Sequence, residues 1–338
     1  MDETMDNAAG SFKPPIASEQ QKLNPAALYE GDGIRLYEEI TRSDGYYLYR
    51  EEISILHDNK TVIHAYGLGQ FIVSVIALVG HRYGSRVDLQ HDDLRMRLEN
   101  AVKSKSFLSS GDSEPQTASS GPKIDVHGVC ASYLDALEAL NFRFSQAPAF
   151  NSGETEHRKC LLWLGSSFTN FEPGEAVALL RSFVYTAELK SSDCILIGID
   201  CCQDPSRLSA AYGSQSAQWR KYAQNGIRNA ANILGNEAFI KMQSAGEWEY
   251  VARWDALRKR HVRFIKAPRN MSFDVAVDHC SKSKCSIKIC KGEHIFLSQS
   301  YKYDHSELEM LFRDAGLIVS KEWSNEREDS LLFLLRKM

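Results

Sequence analysis

Two short apolar runs set the class of fold. Cys160-Leu-Leu-Trp-Leu164 and Cys194-Ile-Leu-Ile-Gly-Ile-Asp200 show no polar face until their ends, and helical stretches flank them. Such runs predict parallel strands, buried on both sides, in an α/β fold. The first continues through Gly165-Ser-Ser-Phe-Thr-Asn-Phe171 into a helix carrying Glu175. Ligands of α/β folds bind beyond the carboxyl ends of the strands, which puts Gly165, Ser166, Ser167 and Asn170 where a ligand would sit. An ordinary strand-to-helix turn has the same small-residue composition.

The rest of the chain fills in around these strands. Asn24-Pro25 opens a helical region through Leu28, Leu36 and Ile40, and a turn at Ser43-Asp-Gly45 precedes a helix reaching Leu56. Thr61 to Ala65 reads as a first strand. Gln70 to Val79, apolar all round, reads as a buried helix. Arg86 to Leu89 is a second short strand, Leu94 to Val102 an amphipathic helix, Ile124 to Val129 a strand and Tyr133 to Leu140 a helix. After Asp200 a long helical region includes Trp219 to Gly235. Towards the end, Ser286 to Ile289, Ile295 to Ser300 and Leu331 to Arg336 alternate like antiparallel strands. A helix from Ser306 to Ala315, stopped by Gly316, lies between the last two. Residues 1–24 read as a flexible tail, and 105–123, rich in Ser, Gly and Pro, as a flexible insertion.

Charge changes the picture only by exclusion. The formal net charge is -4 over 338 residues, with no long basic run, so nucleic acid is not an expected partner. The longest apolar stretch, Phe71 to Val79, is too short to span a bilayer. Met1 to Lys22 lacks the basic start and apolar middle of a secretory signal, so a reducing, cytoplasmic setting is expected. No coiled-coil seam is visible, and a monomer is expected.

Cysteine usage fits that setting. Cys130, Cys160 and Cys194 lie in apolar surroundings and read as core residues. Cys280, Cys285 and Cys290 fall near His279, but their spacing matches no common zinc pattern, so they read as structural thiols and no metal is expected. Strand alternation puts Cys285 on one face with Ile287 and Ile289, and Cys290 on the other.

A second candidate element is Val62-Ile-His-Ala-Tyr-Gly-Leu-Gly69, with Asp88 following at the end of the next predicted strand. Glycines permit close backbone approach, and an acid in that place accepts hydrogen bonds from ribose hydroxyls. A glycine turn before a buried helix reads the same way when isolated. No phosphate-binding loop and no nucleophile elbow are present.

Several segments in order carry a resemblance: Leu28-Tyr-Glu-Gly-Asp-Gly-Ile-Arg-Leu-Tyr-Glu-Glu-Ile40, Tyr46-Tyr-Leu-Tyr-Arg-Glu-Glu52, Leu162-Trp-Leu-Gly-Ser-Ser-Phe-Thr-Asn170, Ala210-Ala-Tyr212, Asn225-Gly-Ile-Arg-Asn-Ala-Ala-Asn-Ile-Leu-Gly235 and Ser300-Tyr-Lys-Tyr303. From Leu28 to the end, the chain resembles the S-adenosylmethionine-dependent histidine-specific N-methyltransferases of ergothioneine synthesis. Among these it is nearest to the fungal dimethylallyltryptophan N-methyltransferase branch of alkaloid pathways. The resemblance implies a Rossmann-like methyltransferase core, 60–202 and 303–338, and a mainly helical substrate-binding second domain, 25–59 and 203–302. It implies S-adenosylmethionine as cofactor and a small amine or amino acid as acceptor. Gly67, Gly69, Asp88, Ser132, Tyr133, Gly165 and Ser166 match cofactor-binding positions. Asn170, Tyr212, Tyr47, Tyr29, Ser298 and Ser300 match substrate-binding ones, with Asn170 on the amino acid and Tyr212 on its carboxylate.

Two departures stand out. At the glycine turn, Ala65 replaces the acid that usually precedes it and Gln70-Phe-Ile-Val73 stands where a basic residue usually follows, which leaves open a weakened relative that binds a partner or metabolite. Histidine-specific members carry Glu-x-Ser before the Tyr-Lys-Tyr element, the Glu binding imidazole; this chain has Ser298-Gln-Ser300. That change points to an aromatic or indole acceptor. Each matched residue also has a plain structural reading: the tyrosines as boundary aromatics, Asn170 as a helix cap, Asp88 as a turn residue.

Overall fold

The computed structural model describes residues 21–59, 62, 73–77, 136–138, 141, 158–276 and 284–338. In chain order the helices are α1 (Pro25–Tyr29), α2 (Gly33–Thr41), α3 (Leu48–Asp58), α4 (Pro173–Thr186), α5 (Pro205–Tyr212), α6 (Ala217–Leu234), α7 (Asn236–Gln243) and α8 (His305–Asp314). The strands are β1 (Val73–Ala77), β2 (Arg158–Trp163), β3 (Cys194–Asp200), β4 (Glu249–Asp255), β5 (Arg260–Lys266), β6 (Met271–Ala276), β7 (Lys284–Ile289), β8 (His294–Tyr301), β9 (Leu317–Ser324) and β10 (Ser330–Lys337). Two compact units result. The first comprises Met1–Ile40, Tyr212–Asp255 and His261–Gln299; the second comprises Thr41–Ala211, Ala256–Arg260 and Ser300–Met338.

The second unit is built on a sheet of order β1-β2-β3-β10-β9. β1, β2 and β3 run parallel, and β10 is antiparallel to both β3 and β9, as expected, although Leu331 to Leu335 is buried at every position and does not alternate. Successive residues sort to opposite faces. Ile195, Ile197, Ile199, Leu331, Phe333 and Leu335 pack with Leu180 and Phe183 of α4 and with Leu308 and Phe312 of α8. Cys160, Cys194, Leu196, Leu332 and Leu334 pack with Ile55 of α3. Pro173 opens α4, and Asp304 caps α8 reciprocally with Glu307, each side chain accepting the other's backbone N–H at 2.9 and 2.8 Å.

One expected element is corrected. The stretch read as a buried helix over Gln70 to Val79 contains the strand β1. A short run apolar on all sides cannot be told from a buried helix by periodicity, and the β-branched Val73, Val75 and Ile76 decide for strand. Of the strand expected over 61–65, Val62 is the single described residue, and it is helical. The expected strands at 86–89 and 124–129 and the insertion at 105–123 lie outside the described residues.

The first unit combines α1, most of α2, α6 and α7 with two small sheets, β4-β5-β8 and the hairpin β6-β7. Register pairs Val275 with Cys285, Phe273 with Ile287 and Met271 with Ile289, the face expected for that strand. Cys285 and Cys290 are both exposed. α6 meets α1 closely at Gly226, where an added Cβ would lie 2.6 Å from Leu28 Cδ2. One turn apart on the same face, Asn225 and Asn229 donate to the carbonyls of Ala27 (2.9 Å) and Glu30 (2.9 and 2.8 Å). Ala27 is in the last turn of α1, whose carbonyls lack helical partners, and the carbonyl of Glu30, just past the helix, also accepts the N–H of Gly33 at 3.0 Å. The asparagines of the 225–235 motif are therefore helix caps supplied from a distance.

The turn before α3 has little room. An added Cβ at Gly45 would lie 2.5 Å from the backbone oxygen of Ala210, while Arg50 holds the turn through the carbonyls of Ser43 and Asp44. Gly45→Ala is expected to lower folding stability by about 2–3 kcal/mol, because backbone must move to admit the methyl. A urea midpoint within error of the unsubstituted protein would contradict this.

Candidate functional site

The carboxyl ends of β2 and β3 converge on a buried polar network, all within the second unit. The turn after β2 places Gly165 and Ser166 in left-handed backbone, φ +80° and +56°. Ser166 Oγ accepts the backbone N–H of Asp200 at 2.8 Å, which locks the two strand ends together. The Asp200 carboxylate, 3% exposed, accepts from Tyr47 Oη at 3.0 and 2.9 Å, from Cys202 N at 3.1 Å and from the ammonium of Lys302, whose side chain is wholly buried. Lys302 Nζ also donates to Ser300 Oγ (3.1 Å), and Ser300 Oγ shares a hydrogen bond with Thr169 Oγ1 (2.9 Å). Arg207 lies over the Tyr47 ring, 4.1 Å from its centroid, and pairs with Glu51 and Asp329. A buried ion pair is tolerated when such hydrogen bonds satisfy both charges.

Beside this network Glu52 accepts the N–H of Gly165, at 2.9 Å to one oxygen and 3.0 Å to the other. Its carboxyl rests on the bare backbone of Gly198, where an added Cβ would lie 1.9 Å from Oε1. Burial pushes its pKa up to about 7, against the smaller opposing effect of the Gly165 N–H. Below about pH 4.5 the carboxyl is protonated folded or unfolded, and there is no penalty. Between that value and 7 the unfolded chain ionises first, so stability falls as pH rises, by no more than about 3 kcal/mol. Glu52→Gln is expected to flatten that fall between pH 5 and pH 8 in urea titrations. An unaltered slope would remove Glu52 as its source.

Asn170 ends a single 3₁₀ turn, Ser167–Asn170. It does not cap α4, whose N-cap is Glu172. Its exposed side chain makes no hydrogen bond among the described residues, which leaves the amide free for a ligand.

The first unit holds a separate aromatic cluster. Tyr29, Tyr37 and Tyr222 meet one another at 5.8–5.9 Å, and Tyr222 meets Trp219 at 5.8 Å. Tyr212, 2% exposed, stacks on His261 at 4.8 Å and packs against Trp219, while its carbonyl accepts from Tyr250 Oη at 2.9 Å. Arg263 lies over Tyr212 and Trp219, 4.9 and 5.3 Å from their centroids. Its Nε donates to Ser298 Oγ at 2.8 Å and its Nη2 to the carbonyl of Gln299 at 3.0 Å.

Of the residues singled out in the sequence, Tyr47, Gly165, Ser166 and Ser300 join the Asp200 network or its border, and Asn170 follows in the same turn. Tyr29, Tyr212 and Ser298 belong to the aromatic unit. Gly67, Gly69, Asp88, Ser132 and Tyr133 lie outside the described residues. Four participants went unread: Glu52, Asp200, Lys302 and Arg263. Asp200 closes an apolar run and Lys302 sits between two tyrosines, so each was visible as a position without its partner.

The chain matches, over residues 13–337, the profile of a family described as histidine-specific, S-adenosylmethionine-dependent methyltransferases. It is 30% identical over 335 residues to ergothioneine biosynthesis protein 1 of Neurospora crassa, covering 96% of this chain and 34% of that protein. It is 26% identical to N-methyltransferase fsqC of Aspergillus fumigatus, covering 96% and 82%. It is 25% identical to 4-dimethylallyltryptophan N-methyltransferase easF of Claviceps purpurea, covering 95% and 92%. The chain thus spans about a third of the Neurospora relative and most of the other two. With the parallel strands β1 to β3 and a family match running nearly end to end, the chain belongs to the S-adenosylmethionine-dependent, histidine-specific methyltransferase family.

Proposed function

We propose that this chain transfers a methyl group from S-adenosylmethionine to the amino nitrogen of a small aromatic or indole-bearing amine or amino acid, in fungal specialised metabolism. The family match and the N-methyltransferase relatives support the reaction. One observation carries the acceptor class. Where the resemblance expects an imidazole-binding Glu, Ser298 accepts a hydrogen bond from the guanidinium of Arg263. Histidine there would lose an acidic partner and meet a cation, which disfavours its protonated ring. Trp219, Tyr212 and Tyr250 in the same unit are buried and packed on one another, on His261 and on Arg263, so they give that position an aromatic surround.

The described residues fit the cofactor at Gly165, where an added Cβ would meet nothing within 4 Å, and at Glu52, a carboxyl that a nearby cation would ionise. Gly67, Gly69, Asp88, Ser132 and Tyr133 would complete its binding. S-adenosylmethionine supplies a methyl already activated on a sulfonium, so the nitrogen lone pair needs alignment: the N–C bond forms as C–S breaks, and the nitrogen's proton is left to solvent. The protein must hold the amine neutral. A free α-amino group has a pKa of about 8, so modest burial suffices. Asn170 Oδ1 is suited to accept an amine N–H and so orient the lone pair.

Calorimetric titration with S-adenosylmethionine and S-adenosylhomocysteine, followed by transfer of labelled methyl to aromatic amino acids, indole amines and histidine, tests the reading. Micromolar binding with transfer to an aromatic or indole acceptor is expected. Histidine as best acceptor overturns the acceptor class. No cofactor binding at millimolar concentration overturns the activity.

A further inference from the structure

Two carboxyls stand near the carboxyl ends of β2 and β3, and the protein balances the charge of one. Asp200, sealed from water, has the ammonium of Lys302. Glu52, on α3, has no cation among the described residues. Both of its oxygens accept the single N–H of Gly165, and its carboxyl rests on the bare backbone of Gly198. A carboxylate offers about four acceptor positions, so most of them are unused here. The charged groups on the elements around α3 are engaged elsewhere. Glu51 and Asp329 pair with Arg207, Lys159 of β2 donates to Asn141 and to the Ala187 carbonyl, and Arg336 of β10 donates to the carbonyls of Ser191 and Ser192. The thiols of Cys160, Cys201 and Cys202 are pushed upward, the first by its bond to Cys194 and the others by burial, and stay neutral. Ligands of α/β sheets bind beyond the carboxyl ends of the strands. An added Cβ at Gly165 would meet nothing within 4 Å, so open space adjoins the turn that Glu52 holds. Glu52 itself is half-buried rather than sealed. Burial without a partner favours its neutral form, and a cation arriving nearby favours the charged one.

We propose that Glu52 is a counter-charge for the cofactor: its carboxyl ionises when the sulfonium of S-adenosylmethionine is bound and stays neutral beside the uncharged thioether of S-adenosylhomocysteine. The identity of the ligand rests on the methyl-transfer reading; the discrimination between charged cofactor and spent product goes beyond it. One proton moves. It leaves the Glu52 carboxyl for solvent as the charged cofactor binds, and it returns from solvent once the neutral thioether is the ligand. No bond to carbon forms or breaks at Glu52, which makes it a specificity-determining residue. Below pH 7 the charged cofactor must expel that proton, so its binding weakens as pH falls, while binding of the thioether does not. The same exchange loosens the hold on the spent ligand, because the carboxyl is attractive to a cation alone.

The full chain, Glu52→Gln and Glu52→Asp should be titrated calorimetrically with S-adenosylmethionine and S-adenosylhomocysteine at pH 6 and pH 7.5, in buffers of low and high ionisation enthalpy. For the unsubstituted chain, affinity for S-adenosylmethionine relative to S-adenosylhomocysteine is expected to rise about 8-fold from the lower pH to the higher, as a carboxyl titrating near 7 in the empty protein requires. At pH 6 about one proton should be released per S-adenosylmethionine bound, and none per S-adenosylhomocysteine. Glu52→Gln should hold the ratio constant with pH and release no proton. Glu52→Asp, its carboxyl drawn back by one methylene, should keep part of both effects. A flat ratio in the unsubstituted chain overturns the proposal, and that arm stands even if a variant does not fold. A rise that survives in Glu52→Gln overturns it too. Equal proton release with both ligands means that the carboxyl reads the α-ammonium they share, which overturns the assignment to the sulfonium. If neither ligand binds at millimolar concentration, the methyl-transfer reading fails and this proposal with it. If both bind without a difference that depends on residue 52, this proposal fails alone.

Discussion

Lys302→Met is expected to cost about 3–5 kcal/mol of folding stability, the usual cost of stranding one member of a buried ion pair. Lys302 is the sole cation on the Asp200 carboxylate among the described residues, and both side chains are sealed from water. Methionine fills the same length but leaves Asp200 ionised or forces it to take up a proton, and Tyr47 and Cys202 N alone do not balance the charge. The double substitution Asp200→Leu with Lys302→Met removes both charges and should recover much of the loss. Denaturant unfolding of the two single variants and the double closes this cycle. A single-variant loss under 1 kcal/mol would mean that water reaches the pair.

Asn170→Ala is expected to do the opposite: leave stability within about 0.5 kcal/mol and lower kcat/KM by about 10- to 100-fold. The side chain is exposed and bonded to nothing in the described residues, so the fold loses little. If the acceptor amine is oriented by this amide, a hydrogen bond to a polar or charged group disappears in the transition state. Thermal unfolding together with kinetics on an established acceptor tests both halves. Unchanged turnover would remove Asn170 from the site.

The parallel strands β2 and β3 were legible because burial on both faces writes an unbroken apolar run. β4, β5 and β6 were not. In β5 the inward positions include His261 and Arg263, both buried, so the alternation that marks a half-buried strand is broken by the residues that give it chemical interest. Gln70 to Val79 failed for a different reason, since a run without polarity carries no period. The motif 225–235 was recognisable as a pattern, yet its asparagines cap a helix, a role invisible without knowing what they face. The pairing of Asp200 with Lys302 joins residues 102 positions apart, and no local pattern encodes it.

The caps on α1 also bear on when this chain can fold. Asn225 and Asn229 hold carbonyls 195 to 202 positions earlier. Thermodynamically that separation is cheap, since each doubling of a loop adds only about 0.6 kcal/mol of closure entropy. Kinetically it is not. During synthesis the segment around Ala27 to Glu30 emerges long before its partners, and contacts of such sequence separation slow folding. Until α6 arrives, the first helix has exposed carbonyls and no neighbour for Leu28. The unit that contains Arg263 can therefore close only after most of the chain has been made, and its N-terminal helices must be kept from aggregating until then.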